Sequence, residues 1–194
     1  MGGPRADRGV RVALLRGVNV GGARPLPMAA LRDDLEALGL QEVRSYKQSG
    51  NVVFRVDAPV GSEPGQLSAL IGDAIERRHG FRPGIVLLTA SRLEAVVTGC
   101  PFARADDPSA RVHVFFLEHT PARAARAALD DLRAPTERLH LAADVLYLDA
   151  PDGIGRSRLA GAVERRLGTA ATARNWRSVT ALAGLSAALH AASA

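Results

Sequence analysis

The apolar residues in the first half of the chain fall into short strand-like runs and two helical repeats. In the helical repeats, apolar residues recur three and four positions apart, whereas the strand-like runs are short and almost wholly apolar. These patterns predict six elements in order: a strand at 11–15, a helix at 27–39, a hairpin of strands at 43–48 and 51–56, a helix at 67–80 and a strand at 85–89. Ser49 and Gly50 are predicted to form a two-residue hairpin turn, because glycine tolerates the positive φ that such turns need.

The second half repeats this order after a connecting segment that contains a short helix and the helix-breaking pair Cys100-Pro101. The patterns there predict a strand at 112–117, a helix at 121–132, a hairpin of strands at 138–141 and 145–148, a helix at 157–167, a strand at 171–174 and a terminal helix from about Trp176. The two halves share little sequence identity, so the repeat is a match of element order alone.

A βαββαβ unit with right-handed crossovers forms a ferredoxin-like sheet with strand order 4-1-3-2. We therefore predict an α+β fold of two duplicated ferredoxin-like halves, each an antiparallel sheet with helices packed on it. The predicted divisions are a disordered leader at 1–9, a first half at 10–90, a linking segment at 91–110, a second half at 111–178 and a C-terminal helix or tail at 179–194.

The same topology predicts which loops are neighbours. The first and second strands of a half run in the same direction, so the loop after the first strand and the hairpin turn lie at one end of the sheet. This places loop 17–22 beside residues 48–51. In the second half, it places loop 153–157 at the same end as residues 174–176.

Composition and charge narrow the class of protein without naming a function. The single cysteine, Cys100, excludes an intramolecular disulfide and a cysteine-rich zinc cluster, which fits a reducing compartment. No secretory signal or membrane span is recognised, so we expect a cytoplasmic protein. The net charge of +5 is compatible with nucleic-acid binding, but the arginines are scattered among acidic residues, so nucleic acid is not the expected partner.

The first group of candidate site residues lies in the glycine-rich loop and the hairpin. Glycines let backbone amides approach a ligand closely, as in phosphate-binding loops, although neither a dinucleotide fingerprint nor a Walker loop is present. Polar side chains beside these glycines exceed what a turn requires and suit a small polar or anionic ligand. The alternative is a tight strand-to-helix turn and an ordinary hairpin. The residues of this group are Arg16, Asn19, Gly21, Gly22, Gln48, Ser49 and Asn51.

A second group lies around the last helix and strand of the second half. Ser157 is a candidate N-cap, and a helix amino terminus beside Arg156 would suit an anion. Arg174, Asn175 and Trp176 follow the last strand; the alternative is that Trp176 anchors the terminal helix and its neighbours secure the loop.

Other chemistry is not supported by the sequence. The five histidines have no metal-ligand spacing, no nucleophile motif occurs, and we expect neither a metal nor another cofactor. Acidic pairs such as Asp33-Asp34, Asp106-Asp107 and Asp130-Asp131 are interpreted as solvated surface groups.

The segments that carry the candidate residues resemble a known family. Residues 12–22, 46–54, 155–159 and 172–176 are similar in order and spacing to the bacterial family called domain of unknown function 1697. The resemblance implies a duplicated fold and no activity. Lys47 departs from the family pattern, which is usually apolar or uncharged there. The signature residues that the resemblance transfers are Arg16, Asn19, Gly21, Gly22, Gln48, Ser49, Gly50, Asn51, Ser157, Arg174, Asn175 and Trp176.

Three functions follow as hypotheses. The leading hypothesis is a pocket that binds a small polar or anionic ligand. The sequence identifies no catalytic base for this pocket, so whether the protein is an enzyme is left open. The second is single-stranded nucleic-acid binding through strand aromatics on an open sheet face. The third is a non-catalytic interaction module, including a homodimer, that would expose an apolar patch near the alanine-rich tail.

Overall fold

The computed structural model describes residues 9–22, 24–56, 65–102 and 111–192. Within these residues the strands are β1 Gly9–Arg16, β2 Gln41–Ser45, β3 Asn51–Val56, β4 Gly84–Thr89, β5 Val112–Leu117, β6 Arg138–Ala142, β7 Val145–Asp149 and β8 Ala171–Asn175. The α-helices are α1 Met28–Ala37, α2 Gln66–His79, α3 Ala90–Thr98, α4 Ala127–Asp130, α5 Val163–Leu167 and α6 Trp176–Ala191.

The strands form two four-stranded sheets with the orders β2-β3-β1-β4 and β6-β7-β5-β8. All neighbouring strands are antiparallel. Numbered within each half, both orders are the predicted 4-1-3-2 read from the other edge. The predicted α+β fold with a duplicated βαββαβ order is therefore confirmed.

The described residues divide into two compact units, one of 9–94 with 182–192 and the other of 95–181. In the first unit, apolar residues of β1 and β3 pack against the apolar faces of α1 and α2. Leu31, Leu35, Phe54, Ile71 and Ile75 are fully buried in this core. Helical residues three and four positions apart share one face, so each helix presents a continuous apolar stripe to the sheet.

The second unit has a core of the same kind with shorter helices. Phe115 of β5 and Leu146 of β7 pack against Leu129 and Val163. The helix predicted at 121–132 is a 3-10 turn at Arg123–Arg126 followed by α4. The helix predicted at 157–167 is split into a 3-10 turn at Ala160–Ala162 and α5. Gly161 lies in the middle of that segment, and glycine disfavours a continuous helix.

Parts of the predicted divisions fall outside the described residues. Residues 1–8 of the predicted leader and residues 103–110 of the predicted linking segment, which include Asp106-Asp107, lie outside the described residues. Gly9, the last residue of the predicted leader, belongs to β1, and the predicted linking segment begins within α3. The predicted tail at 179–194 continues α6 as far as Ala191. Among the described helices, none has the length and apolar character needed to cross a membrane.

Candidate functional site

The glycine-rich loop follows β1 and has an unusual backbone. Gly17, Gly21 and Gly22 have φ values of +69°, +58° and +76°, while Asn19 and Arg24 have values of +55° and +50°. Glycine adopts this left-handed region freely and asparagine tolerates it, but an arginine there is strained. Contacts made by the loop must therefore hold this backbone in place.

Asn19 holds the glycine-rich loop against the hairpin. Its Nδ2 donates to the carbonyl oxygen of Gln48 at 2.7 Å and to that of Leu26 at 2.9 Å. Its Oδ1 accepts the backbone N–H of Leu26 at 2.8 Å. The predicted contact between the two loops is thus confirmed. Because both amide donors are used by backbone carbonyls, Asn19 shapes the loops and does not offer its Nδ2 to a ligand.

The hairpin has a longer loop than the predicted two-residue turn, and that prediction is wrong. β2 ends at Ser45 and β3 begins at Asn51. The carbonyl oxygen of Asn51 accepts the N–H of Tyr46 at 2.8 Å, and its Nδ2 donates to the Tyr46 carbonyl at 3.1 Å and to Ser49 Oγ at 2.8 Å. The buried Asn51 side chain therefore stabilises a loop of residues 46–50 through hydrogen bonds to its backbone and to Ser49. The sequence Ser-Gly, which is typical of a two-residue turn, gave no indication of this role.

Gly50 of the hairpin packs closely against the end of β1 and the start of the glycine-rich loop. The N–H of Leu15 donates to the Gly50 carbonyl at 2.8 Å. A Cβ added to Gly50 would lie 2.5 Å from Val18 Cγ2 and 2.7 Å from Leu15 Cβ, and Gly50 has a φ of +68°. Both the backbone angle and the lack of space therefore require glycine at this position.

Cationic and neutral polar groups surround this junction at the surface. Arg16, Arg24, Lys47 and Gln48 are exposed, as are the glycines at 21 and 22. Lys47 Nζ lies 5.3 Å from the centre of the Tyr46 ring. Residues 16–26 and 45–51 contain these three cations and no acidic residue. We call Arg16, Arg24, Lys47 and Gln48, with the backbone of Gly21 and Gly22, the cationic loop surface.

Replacing Asn19 by aspartate is expected to destabilise the protein by about 1–2 kcal/mol, because two hydrogen-bond donors are lost and a carboxylate faces two carbonyl oxygens. Urea unfolding followed by circular dichroism measures the change. The matched control is Gln48→Glu, which adds the same charge to the same junction but leaves the backbone acceptor of Gln48 intact. Equal effects of the two variants would show that charge, not the Asn19 bonds, controls the loop.

Two residues of the second predicted group, Asn175 and Ser157, cap helical segments. Asn175 Oδ1 accepts the N–H of Ser178 at 2.9 Å and so caps α6. Ser157 Oγ accepts the N–H of Ala160 at 3.0 Å, as predicted for an N-cap. The capped segment is a 3-10 turn, however, and α5 starts at Val163 and has five residues. The long helix that motivated an anion site beside the exposed Arg156 is therefore not formed.

Arg174 and Trp176 are buried. Burial lowers the pKa of the Arg174 guanidinium to about 10, so it stays charged at neutral pH. Its Nη1 donates to Thr172 Oγ1 and to the Ala173 carbonyl, both at 2.8 Å. Trp176 is the first residue of α6 and is buried, which fits the alternative interpretation that it anchors the terminal helix by packing. These contacts are structural, and they do not bring Arg174 to a surface.

Strand register places the two loops of this group at one end of the second sheet, as predicted. Val112 pairs with Asp149 at the end of β7, and the next residue of β5, His113, pairs with Asn175 at the end of β8. The loops that follow β7 and β8 therefore leave the sheet at the same end.

The sequence analysis missed a buried ion pair cluster at this end of the second sheet. The Asp149 carboxylate is buried and accepts hydrogen bonds from Arg111 Nε at 2.9 Å and Arg138 Nη2 at 2.6 Å. Burial acts to raise the pKa of Asp149, but the hydrogen bonds from the two guanidinium groups outweigh it and lower the pKa. An aspartate at the end of an apolar strand was the available signal.

A second cluster corrects the interpretation of Asp34 as solvated, whereas Asp33 is exposed as expected. Asp34 is buried, with Oδ1 accepting from Arg78 Nη1 at 2.7 Å and Oδ2 lying 2.9 Å from His79 Nε2. These bonds connect α1 to α2, so the carboxylate is a structural group. Asp130 and Asp131, in contrast, are exposed as expected.

The strand aromatics are not arranged as a base-stacking surface. Phe54, Phe115 and Tyr147 are buried, and Tyr147 Oη donates to the Val96 carbonyl at 2.9 Å. Tyr46 is half-buried beside Lys47. In the part of the chain that the structure describes, no group of three or more His, Cys, Asp or Glu residues could hold a metal ion.

Comparison with known proteins gives a family and a fold. The family model described as Protein of unknown function (DUF1697) matches residues 9–147. The match includes the cationic loop surface and ends before Ser157 and Arg174. No curated protein matches the chain. Among solved structures, the chain is similar to the conserved bacterial protein SP0830 from Streptococcus pneumoniae, with a TM-score of 0.70 and 23% identity over 91% of this chain and 98% of that chain.

Proposed function

Since the chain belongs to the DUF1697 family, whose description gives no function, we propose from its own loop geometry that the protein binds a small anionic molecule at the cationic loop surface. The observation that carries this proposal is the bond from Asn19 to the Gln48 carbonyl at 2.7 Å, which joins two loops that carry cations and no acidic residue. A fixed cluster of like charges raises the local concentration of anions and strengthens each hydrogen bond to them.

The backbone of these loops supports the same proposal. Among the described residues, five non-glycine residues have positive φ, and Asn19, Arg24 and Lys47 are three of them. Such strain often marks binding loops, because the surrounding contacts must hold a conformation that the residue itself disfavours. Among the described residues, apart from the chain neighbours, no heavy atom lies within 4 Å of a Cβ built on Gly21 or Gly22, so a ligand can approach the backbone there.

Val20 indicates that the ligand has an apolar part as well. It is 66% exposed, and it is the large apolar side chain that the described residues leave most open to water. Its position between Asn19 and Gly21 sets an apolar contact beside the cations. A phosphorylated or carboxylated organic molecule with a ring or alkyl group combines the two features. Such a ligand is favoured over a bare inorganic anion.

The double variant Arg16→Gln, Lys47→Gln is expected to weaken binding of ADP at least about tenfold, because each charged hydrogen bond contributes about 1.5–3 kcal/mol. Titration of ¹⁵N-labelled protein with ADP, adenosine and inorganic phosphate measures this, with the amides of Gly21, Gly22 and Gln48 as reporters. We expect ADP to bind more tightly than adenosine, and its affinity to fall as sodium chloride is raised.

The control for this experiment removes the same charge elsewhere. Arg77→Gln, Arg165→Gln replaces two exposed arginines in the last turns of α2 and α5. If both double variants weaken ADP equally, the effect is one of net charge and the site is wrong. The proposal also fails if millimolar ADP and phosphate leave all three reporter amides unmoved.

The other hypotheses have less support in the described residues. Single-stranded nucleic-acid binding needs stacking side chains, but Phe54, Phe115 and Tyr147 are buried. The interaction module needs an apolar surface near the tail. The described part of the tail borders a hollow whose walls are mostly apolar but include Arg11, Glu94 and His190.

A further inference from the structure

A second hollow lies within the first unit, away from the cationic loop surface. Its volume is about 670 Å³, within the range of roughly 300–1,000 Å³ that holds small organic ligands. We call it the α6 cleft. It is lined by the start of β1 at residues 9–11, by residues 89–91 and Glu94 at the junction of β4 and α3, and by residues of α6 between 183 and 191.

The composition of α6 explains why this space is open. Six residues of α6 line the cleft. Four of them, Ala183, Gly184, Ala187 and Ala191, have no side chain longer than a methyl group, and the other two are Ser186 and His190. On the adjoining stripe of the helix, Leu182 and Leu189 are buried and fill their surroundings. The cleft is therefore a consequence of small residues that face the walls formed by β1 and α3.

Ser186 is the observation that points to a ligand. It lies between Leu182 and Leu189 on the buried stripe of α6 and is 1% exposed, a position where packing alone calls for an apolar residue. It also lines the α6 cleft, and within the described structure its Oγ is buried without a hydrogen-bond partner. Buried hydroxyl groups are almost always paired, since an unpaired one loses its hydration without compensation.

The other walls of the cleft contain an arginine and the amino terminus of a helix. Arg11 is more than nine-tenths buried and pairs with Thr89 in the register of β1 and β4. Thr89 Oγ1 accepts the N–H of Arg92 at 3.0 Å and lies 3.0 Å from Ser91 Oγ, so it caps the nine-residue helix α3. The Arg11 guanidinium donates a hydrogen bond to the Val10 carbonyl at 3.2 Å. An arginine and the amino terminus of a helix that line the same cleft favour a negatively charged group.

Glu94 limits which anion fits. Glu94 lines the same cleft, and its negative charge repels a doubly charged phosphate more strongly than a singly charged carboxylate. From the cavity, the Ser186 hydroxyl and these charges, we infer that the α6 cleft binds a small carboxylic acid with a compact apolar body. The carboxylate lies toward Arg11 and α3, and the body lies along the alanines of α6. This site is independent of the proposed function.

Titration of the ¹⁵N-labelled full chain with benzoate, benzyl alcohol and inorganic phosphate tests the inference. Benzoate is expected to shift the amides of Ser91, Gly184 and Ala187 and to bind at least about fivefold more tightly than benzyl alcohol. Phosphate is expected to leave these amides unmoved. Ala187→Leu should abolish the benzoate response by filling the cleft, and Ser186→Ala should weaken it at least about threefold.

Three results would overturn the inference: benzoate shifts that survive in Ala187→Leu, equal affinity for benzyl alcohol, or no shift at all. Arg16→Gln, Lys47→Gln serves as the control that separates the two sites. It is expected to keep the benzoate response unchanged, and Ala187→Leu is expected to keep the ADP response of Gly21 and Gly22. In the unsubstituted protein, absence of one of the two ligand responses with retention of the other identifies which proposal has failed.

Discussion

Replacing Asp149 by asparagine is expected to destabilise the protein by about 2–3 kcal/mol, because the substitution leaves two guanidinium groups without their shared carboxylate. Arg111 and Arg138 both bond to this buried group, and their side chains are 42% and 55% exposed. Partial exposure lets water solvate the released cations, so the cost stays below that of a fully buried pair. Urea unfolding of the Asp149→Asn variant measures the loss.

The Asp149 effect also has a defined pH dependence. The folded-state pKa of Asp149 is lowered, so the carboxylate stabilises the folded protein fully above the ordinary aspartate pKa of about 4. This contribution is lost as pH falls below that value toward the folded-state pKa. The difference in unfolding free energy between the wild type and Asp149→Asn should therefore be constant near neutral pH and shrink in acid.

Asp152→Asn is the matched control for this prediction. Asp152 is exposed, three residues further along the chain, and accepts a hydrogen bond from Thr136 Oγ1 at 2.7 Å that an asparagine oxygen can also accept. Its replacement is expected to change stability by no more than about 0.5 kcal/mol. A loss for Asp149→Asn that is equally small would mean that the two arginines do not depend on this carboxylate.

The contrast between Asp149 and the strands around it shows how far the sequence could predict the structure. Element order fixes the 4-1-3-2 topology, because antiparallel pairing and crossover handedness leave few other arrangements. Whether a single polar residue is buried and paired, in contrast, depends on partners that are distant in the sequence. Asp149 is paired by Arg111 and Arg138, one 38 and the other 11 residues away, and no local pattern predicts that.

The candidate loops show the same limit. The topology predicted that the glycine-rich loop lies beside the hairpin, and the Asn19 to Gln48 bond confirms it. The topology did not predict that the side chains of Asn19 and Asn51 donate hydrogen bonds to backbone carbonyls. Asparagine is equally common in a ligand site and in a turn, so the residue type alone could not distinguish the two roles. Arg24, which adds a cation and a strained backbone, was missed since arginine has no turn preference.

Gly50→Ala is expected to destabilise the protein by about 2–5 kcal/mol. A left-handed backbone costs a non-glycine residue about 1–2 kcal/mol, and an added methyl group in a packed site costs about 1–3 kcal/mol more. The methyl group would lie 2.5 Å from Val18 Cγ2 and 2.7 Å from Leu15 Cβ, both well inside van der Waals contact. Because β1 cannot move without disturbing its pairing, the hairpin loop has to shift.

Gly21→Ala separates the two causes. Gly21 has a φ of +58°, but the described residues other than its chain neighbours place no heavy atom within 4 Å of an added Cβ. The Gly21→Ala variant should therefore lose only the backbone contribution of about 1–2 kcal/mol. Val18→Ala in the Gly50→Ala background should recover part of the loss by removing one of the two clashes. Equal unfolding free energies for Gly50→Ala and Gly21→Ala would contradict the close approach of the two loops on which the cationic loop surface depends.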